Sequence, residues 1–341
     1  MGALANAPAP IGKESYRLGS EAELNEVRMV ESREGSLLVE HTGTGNLCII
    51  DDTFTEMFPM WVGRILITAD TEELALTAAR TATGFASSII MSPAEAGIER
   101  TVSSSETPDG RPGVIIQIYH TLGYALKAQM IARIGQCVMT CPTTAAFNAQ
   151  FETPSKLLRV GKSLSYFGDG FQSRDSLGER KVWRIPVMDG EFIVERRFAV
   201  RRGVAGGMFL IMAADRSSCL SSARTAVDAI ANINGVILPF PGGICRSGSK
   251  VGSLKYKLPA STNHLYCPTL RRIVQESKVP DDVSCIYEVV VNGLNLNSVK
   301  KALAKGIRAA VSVRGVVKIS TANYGGKLGP YKAFLREILD L

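Results

Sequence analysis

Histidine is scarce in this chain: His41, His120 and His264 are the only three among 341 residues, and no two stand four positions apart. A helical i, i+4 metal pair is therefore absent, and a catalytic zinc would need ligands gathered from distant segments. No Cys-x-x-Cys pair occurs either, which removes the commonest structural-zinc spacing. No metal site is expected. No run of about 18 apolar residues appears, so no membrane span is expected. The P-loop pattern G-x-x-x-x-G-K-[ST] is missing, as are G-x-G-x-x-G and the G-x-S-x-G elbow. "GVAGG" and "GGICRSGSKVGS" are glycine-rich without matching any of these. Charge of one sign is never concentrated. The net charge is +7, and the basic pairs Arg196-Arg197, Arg201-Arg202, Arg271-Arg272 and Lys300-Lys301 are scattered, without interleaved aromatics. Nucleic acid is not the expected partner. An anionic small substrate or an acidic protein accounts for the excess.

The seven cysteines are odd in number and sit mostly in apolar company, as in "CVMTC". That is the usage of reduced, buried thiols, and it points to the cytoplasm. A Cys–His nucleophile would need His120 or His264 beside one of them, and the apolar strands around the thiols speak against it. The first residues lack the apolar segment of a signal peptide. Residues 1–46 are polar, with a Thr-Gly-Thr-Gly cluster at Thr42–Gly45, and read as a peripheral extension; Met29 offers an alternative start.

The composition itself, 45% hydrophobic and 21% charged, is that of a folded globular protein. From Leu47 the chain repeats itself weakly. "LITAD" (Leu66–Asp70) is echoed by "LIMAAD" (Leu210–Asp215), "AARTA" (Ala78–Ala82) by "SARTA" (Ser222–Ala226), and "IIMSPAEAGI" by "VILPFPGGI". The order is kept at a spacing that suits a duplicated domain. Each copy predicts a strand, Arg64–Thr68 or Met208–Met212, then a helix. Asp70 and Glu73 are placed to form a capping box on the first helix. A second strand follows at Ser88–Met91 or Val236–Leu238. Then come "GVIIQIY", "YALKAQMIARIG" and "QCVMT" in the first copy, against "CIYEVVV", "SVKKALAKGIRAAV" and "VVKIS" in the second. Val299, Leu303 and Ile307 share one face of that last helix. Two tandem β-α-β, β-α-β units predict an α+β chain of two ferredoxin-like lobes, 47–160 and 161–341. "VGKSLSYFGDGFQ" and "RKVWRIPVMDGEFIVERRF" read as extra strands and loops between them.

One segment, "VSCIYEVVVNGLN" (Val283–Asn295), sets a carboxylate, Glu288, inside a strand built for burial. Alternation puts Glu288 on one face with Ile286 and Val290. Taken alone, a strand glutamate defaults to facing solvent. Gly168, Gly170, Gly242, Gly243, Gly325 and Gly326 default to turns. Lys250 and Lys327 default to solvated charges, Cys137 and Cys141 to core thiols. Ser261, Thr262 and Asn263 fit a polar turn as well as a ligand contact. Asp169 fits an Asx-type bond within its own loop.

Longer words change the weighting. "ETPDGRPGV", "RIGQCVMTCPT", "LSYFGDGFQ", "GEFIVE", "PFPGGI", "SKVGS", "LPASTN", "YEVVVNGLN" and "GVVKISTANYGGKLG" occur in that order. From about Cys48 to its end the chain closely resembles the formylmethanofuran:tetrahydromethanopterin formyltransferases. The resemblance implies formyl transfer between the amine of methanofuran, or an analogue, and a ring nitrogen of tetrahydromethanopterin. These carriers would be substrates, with no tightly bound cofactor. It implies homo-oligomers with the site at a subunit contact, and two ferredoxin-like lobes. It also implies, for bacterial members, work beside other subunits of a formyltransferase/hydrolase complex; the basic charge leans that way. The family's proposed catalytic acid falls on Glu288. Substrate contacts are expected from Tyr166, Phe167, Asp169, Gly242, Gly243, Ser249, Lys250, Ser261, Thr262, Asn263, Asn292, Gly325, Gly326 and Lys327. A buried carboxyl with a raised pKa can take a proton from the attacking nitrogen and give one to the leaving nitrogen. Backbone N–H groups of "PGG" and "YGG" are candidate donors to the oxyanion. The alternatives are a non-catalytic, carrier-binding scaffold subunit and a folate-linked formyltransferase.

Overall fold

The structure, a computed structural model, describes residues 26–149, 151 and 153–341. In chain order, a three-stranded meander comes first: β1 (Val27–Arg33), β2 (Ser36–His41) and β3 (Leu47–Asp51). The long strand β4 (Phe54–Thr68) leads to α1 (Glu72–Thr83), β5 (Glu95–Val102), β6 (Gly113–His120), α2 (Gly123–Arg133) and β7 (Ala145–Asn148). After β8 (Lys156–Leu158) and the short α3 (Val160–Ser165), a second meander follows: β9 (Ser173–Leu177), β10 (Arg180–Val187) and β11 (Gly190–Glu195). The second long strand, β12 (Phe198–Ala213), leads to α4 (Arg216–Ala231) and β13 (Val236–Ile237). A long excursion carries β14 (Ser249–Val251) and β15 (Ala260–Thr262) before β16 (Cys285–Gly293), α5 (Leu296–Val311) and β17 (Val316–Ser320). The chain closes on β18 (Tyr331–Phe334) and α6 (Leu335–Leu339).

Each half pairs its strands in the same order. In the first half β4 lies between β6 and β7, with β5 outside β6. In the second half β12 lies between β16 and β17, with β13 outside β16. All these pairs are antiparallel. The two central strands also pair with each other, Val200 opposite Gly63 through Ala205 opposite Phe58, so a single sheet runs through both halves. The meanders cross over. The first meander docks in parallel on the second half through β3 and β17. The second docks in parallel on the first half through β11 and β7.

This exchange corrects the expectation for residues 1–46, as far as that stretch is described. Leu37 and Val39 of β2 are fully buried in the core of the second half, beside Ile50 and Phe209. A polar-looking segment hides two core residues in a period-2 pattern that is short and easily missed.

Packing explains the helices. The buried face of α1 consists of Ala75, Ala78, Ala79 and Ala82, small enough to lay the helix close on its sheet. On α5, Val299, Leu303 and Ile307 are fully buried, as the periodicity predicts. Gly306 lets α5 approach α4: a Cβ there would stand 2.6 Å from Ile230 Cδ1. Each fully buried Leu or Ile contributes roughly 1.5–3 kcal/mol relative to exposure.

Three local expectations fail. The N-cap of α1 is Thr71, whose hydroxyl accepts from Leu74 N at 3.2 Å. Asp70 is taken instead by the Arg111 guanidinium at 2.9 Å. "QCVMT" is not a strand but a π-turn prolonging α2 over Ile134–Val138, with Met139 N donating to Ile134 O at 2.8 Å. Ser88–Met91 forms a turn, because Ser92 Oγ donates to Ser88 O at 2.6 Å and accepts from Ser88 N at 3.1 Å. A short apolar run cannot declare strand or helix by itself, and here local hydrogen bonds decide.

Candidate active site

The site grows from β16. Tyr287, Val289 and Val291 turn toward the helices and join the main core of the second half. Ile286 and Val290 turn the other way, into a separate cluster with Met208, Leu210, Met212, Val279 and Val283. Glu288 stands between these two apolar neighbours on that second face, opposite Leu210 on β12. The sequence echo aligns Leu66 with Leu210, and the residue opposite Leu66 is the apolar Ile115. The second half thus carries an acid at a register where the first half carries a hydrocarbon.

The excursion between β13 and β16 folds back over this acid. Cys245 and Glu288 form an isolated antiparallel bridge, Cys245 N to Glu288 O at 2.8 Å and Glu288 N to Cys245 O at 3.0 Å. Burial pushes the Glu288 carboxyl up to about 7, against a hydrogen bond from the Cys245 thiol that favours the anion. Burial and the nearby Glu288 charge push the Cys245 thiol up as well. Glu288 is therefore poised to gain or lose a proton near neutral pH.

Glu288 borders two cavities. One, of about 600 Å³, is lined also by Arg216, Cys245, Arg246, Asn263 and Tyr266. The other, of about 350 Å³, is lined by Glu56, Phe58, Glu95, Met208, Lys250 and Tyr324 as well. Tyr324 keeps its proton: burial raises its pKa, and the charges of Glu288 and Glu56 add to the effect. Among the described residues no group of three or more His, Cys, Asp or Glu side chains could hold a metal ion.

The expected site residues divide into several groups. Ser249 and Lys250 line the smaller cavity, and Asn263 the larger. Ser261 sits behind Lys250, accepting from its ammonium at 2.6 Å, while Thr262 is exposed. Gly325 and Gly326 form the turn after Tyr324, both at positive φ, and Lys327 is exposed beyond them. Gly242 and Gly243, also at positive φ, line a different cavity of about 710 Å³ where α1 and α4 face each other. The Gly243 N–H donates to Phe240 O at 2.8 Å, so it is not free to hold an oxyanion. Tyr166, Phe167 and Asp169 are exposed on the turn after α3 and border neither Glu288 cavity. Asp169 adopts the left-handed conformation there.

Asn292 lies elsewhere than expected. It is fully buried, and both ends of its amide are taken. Nδ2 donates to Glu95 Oε2 at 2.5 Å, and Oδ1 accepts from Gly206 N at 2.9 Å. Glu95 also accepts from Ile89 N at 3.0 Å, and burial raises its pKa. Asn292 therefore ties the second half to the first instead of facing solvent.

The sequence reading passed over Glu56, Cys245, Arg246 and Tyr324. Glu56 carried the same signal as Glu288, an acid inside an apolar strand ("FTEMF"). The others gave none, because their roles come from the fold-back of the excursion.

Fold and site together describe a two-lobed α+β protein whose partly buried carboxyl group opens onto two ligand-sized cavities. Family models match nearly all of it: "Formylmethanofuran-tetrahydromethanopterin formyltransferase" over residues 44–187, and "FTR, proximal lobe" over residues 190–338. The formyltransferase of Methanocaldococcus jannaschii is 54% identical over 294 residues, covering 85% of this chain and 98% of its own length. The solved formylmethanofuran:tetrahydromethanopterin formyltransferase from Methanosarcina barkeri superposes with a TM-score of 0.82 at 50% identity, over 85% of this chain and 97% of that one. A chain of the formyltransferase/hydrolase complex from Methylorubrum extorquens, solved with methylofuran, gives 0.82 at 40% identity, over 87% and 97%. This chain belongs to the formylmethanofuran–tetrahydromethanopterin formyltransferase family.

Proposed function

We propose that this protein is an acyltransferase that moves a formyl group between a methanofuran-type amine and tetrahydromethanopterin, with Glu288 as the general acid and base. The observation that carries the acid–base role is the position of Glu288: an acid among Ile286, Val290 and Leu210, held up to about 7 and bordering both cavities. The nitrogen of one carrier attacks the formyl carbon of the other, and a C–N bond forms as its lone pair closes on carbon. The tetrahedral carbon then expels the second nitrogen. Glu288 accepts the proton released by the attacking nitrogen and delivers it to the leaving one, ending as it began. The Tyr324 hydroxyl, which stays protonated, and the Lys250 ammonium are the donors suited to the developing oxyanion. No covalent enzyme intermediate is needed, since the acceptor amine is the nucleophile.

The direct test mixes purified protein with formyl-tetrahydromethanopterin and a methanofuran and follows the formyl group. Full-rate transfer by Glu288→Gln would remove that residue from the chemistry. Replacing the methanopterin by tetrahydrofolate separates the pterin classes.

We also propose that the lobes, up to about residue 160 and beyond it, are ferredoxin-like units of one duplicated ancestor. The identical strand order in the two halves supports this. A cytoplasmic homo-oligomer is the expected setting. Likeness to the Methylorubrum chain supports association with hydrolase subunits. Pull-down from the native host, with mass spectrometry, tests both assemblies.

A further inference from the structure

We infer that Glu56, on the far strand of the smaller cavity, recognises the N–H-rich edge of the pterin and so sets its reacting nitrogen beside Glu288. This rests on the formyl-transfer reading above. Glu56 lies on β4 at 1% exposure. Its Oε2 accepts from the Tyr324 N–H at 3.0 Å, whereas its Oε1 is buried with no hydrogen-bond partner. A buried carboxylate oxygen left unpaired is costly, and such groups persist where a ligand completes them. The same cavity, about 350 Å³, holds Glu56 and Glu288 together.

The chain offers one nearby competitor. Lys332 is the cross-strand partner of Glu56, but its ammonium sits over the Phe54 ring, 5.0 Å from the centroid. Gly326 gives that lysine its room: a Cβ there would collide with Lys332 Nζ and stand 3.8 Å from Glu56 Oε1, so the ammonium lies near the orphan oxygen without a hydrogen bond to it.

A group that completes the orphan oxygen must donate. Of the two carriers, the furan end presents one amide N–H when formylated and one ammonium when free, a single donor centre in either form. The 2-amino-4-oxopyrimidine edge of a pterin presents adjacent N–H donors that match a carboxylate in a paired geometry. Phe58 and Met208 supply apolar walls for a flat ring. Glu56 is thus a positioning and specificity residue, not an acid–base group.

The test uses Glu56→Gln in the full chain, a change that keeps the shape and an acceptor for Tyr324 N–H. KM for tetrahydromethanopterin should rise about 10- to 100-fold, the effect of one hydrogen bond to a charged group. KM for the methanofuran should stay within about twofold, and kcat should fall far less than in Glu288→Gln. Direct titration of the pterin by fluorescence should show the same loss, and a 2-desamino analogue should bind both proteins alike. Equal changes in both KM values, or none, would overturn the assignment. So would Lys332→Met reproducing the effect, because Glu56 would then serve as a counter-ion for that lysine. If the wild type bound pterin but transferred no formyl group, the functional reading would fall while the titration still decided the role of Glu56.

Discussion

Cys245 and Glu288 hold each other through both backbone N–H groups, at 2.8 and 3.0 Å, and the Cys245 thiol also donates to the Glu288 carboxylate. The acid is thus fixed in place by the excursion that covers it, and the proton balance of the site depends on a neighbour with no charge of its own. Cys245→Ala removes the one hydrogen bond that favours the anion. The inflection of the pH–rate profile should move to higher pH in that variant, while Cys245→Ser, which keeps a donor, should move it less. A profile unchanged in both would show that the thiol is a bystander.

Glu288→Gln should lower the transfer rate by about 10²- to 10⁴-fold, the usual range for losing a positioned acid–base group. Its effect on stability has the opposite sense. The folded acid titrates at about 7, above the ordinary value of 4.5, so between those limits the folded state binds more protons than the unfolded one. Stability then falls as pH rises from about 4.5 to 7. The glutamine variant should be more stable than the wild type at pH 8, by roughly 3 kcal/mol. The difference should shrink toward zero at pH 5. Urea unfolding at the two pH values measures this.

How much of this was legible beforehand differs by region. Glu288 could be found because it falls on the family's proposed catalytic glutamate; alternation by itself added only that an acid two residues from Ile286 and from Val290 shares their face. Strands at 113–119 and 316–320 and the helix at 298–311 were equally plain, being long and periodic. What could not be read was anything set by contacts distant in sequence. Asn292 is expected in the site through the family word "YEVVVNGLN", yet its partners Glu95 and Gly206 come from other elements. The first meander looks peripheral because its dock is β17, at the opposite end of the chain.

That dock makes the N-terminal region sensitive. Leu37 is fully buried in the core of the second half. Leu37→Ala should cost about 2–5 kcal/mol, depending on how far the cavity collapses. Deleting residues before Asn46 should do worse, because it bares the edge of β3 as an open template for pairing. Denaturant melts of the point variant and light scattering of the truncation check the two outcomes. A truncated protein that stays monodisperse and equally stable would mean that the meander contributes little.

The tie between the halves gives the last prediction. Asn292→Ala would leave Glu95 Oε2 and Gly206 N without these partners at the seam between the halves. Each orphaned group costs about 1–3 kcal/mol, so a total loss of roughly 2–6 kcal/mol is expected. Glu95 also borders the smaller cavity, so the loosened seam should raise KM for the carrier bound there. Asn292→Asp is the sharper probe, since it sets a second carboxyl against Glu95, whose own proton affinity is already raised by burial. Two acids in contact share a proton more readily at low pH. The aspartate variant should therefore lose stability as pH rises from 5 to 8 more steeply than the wild type, and the alanine variant, which loses the Asn292 donor that favours the Glu95 anion, should steepen as well. Parallel slopes for all three proteins would mean that Glu95 and residue 292 do not meet as the hydrogen bond implies.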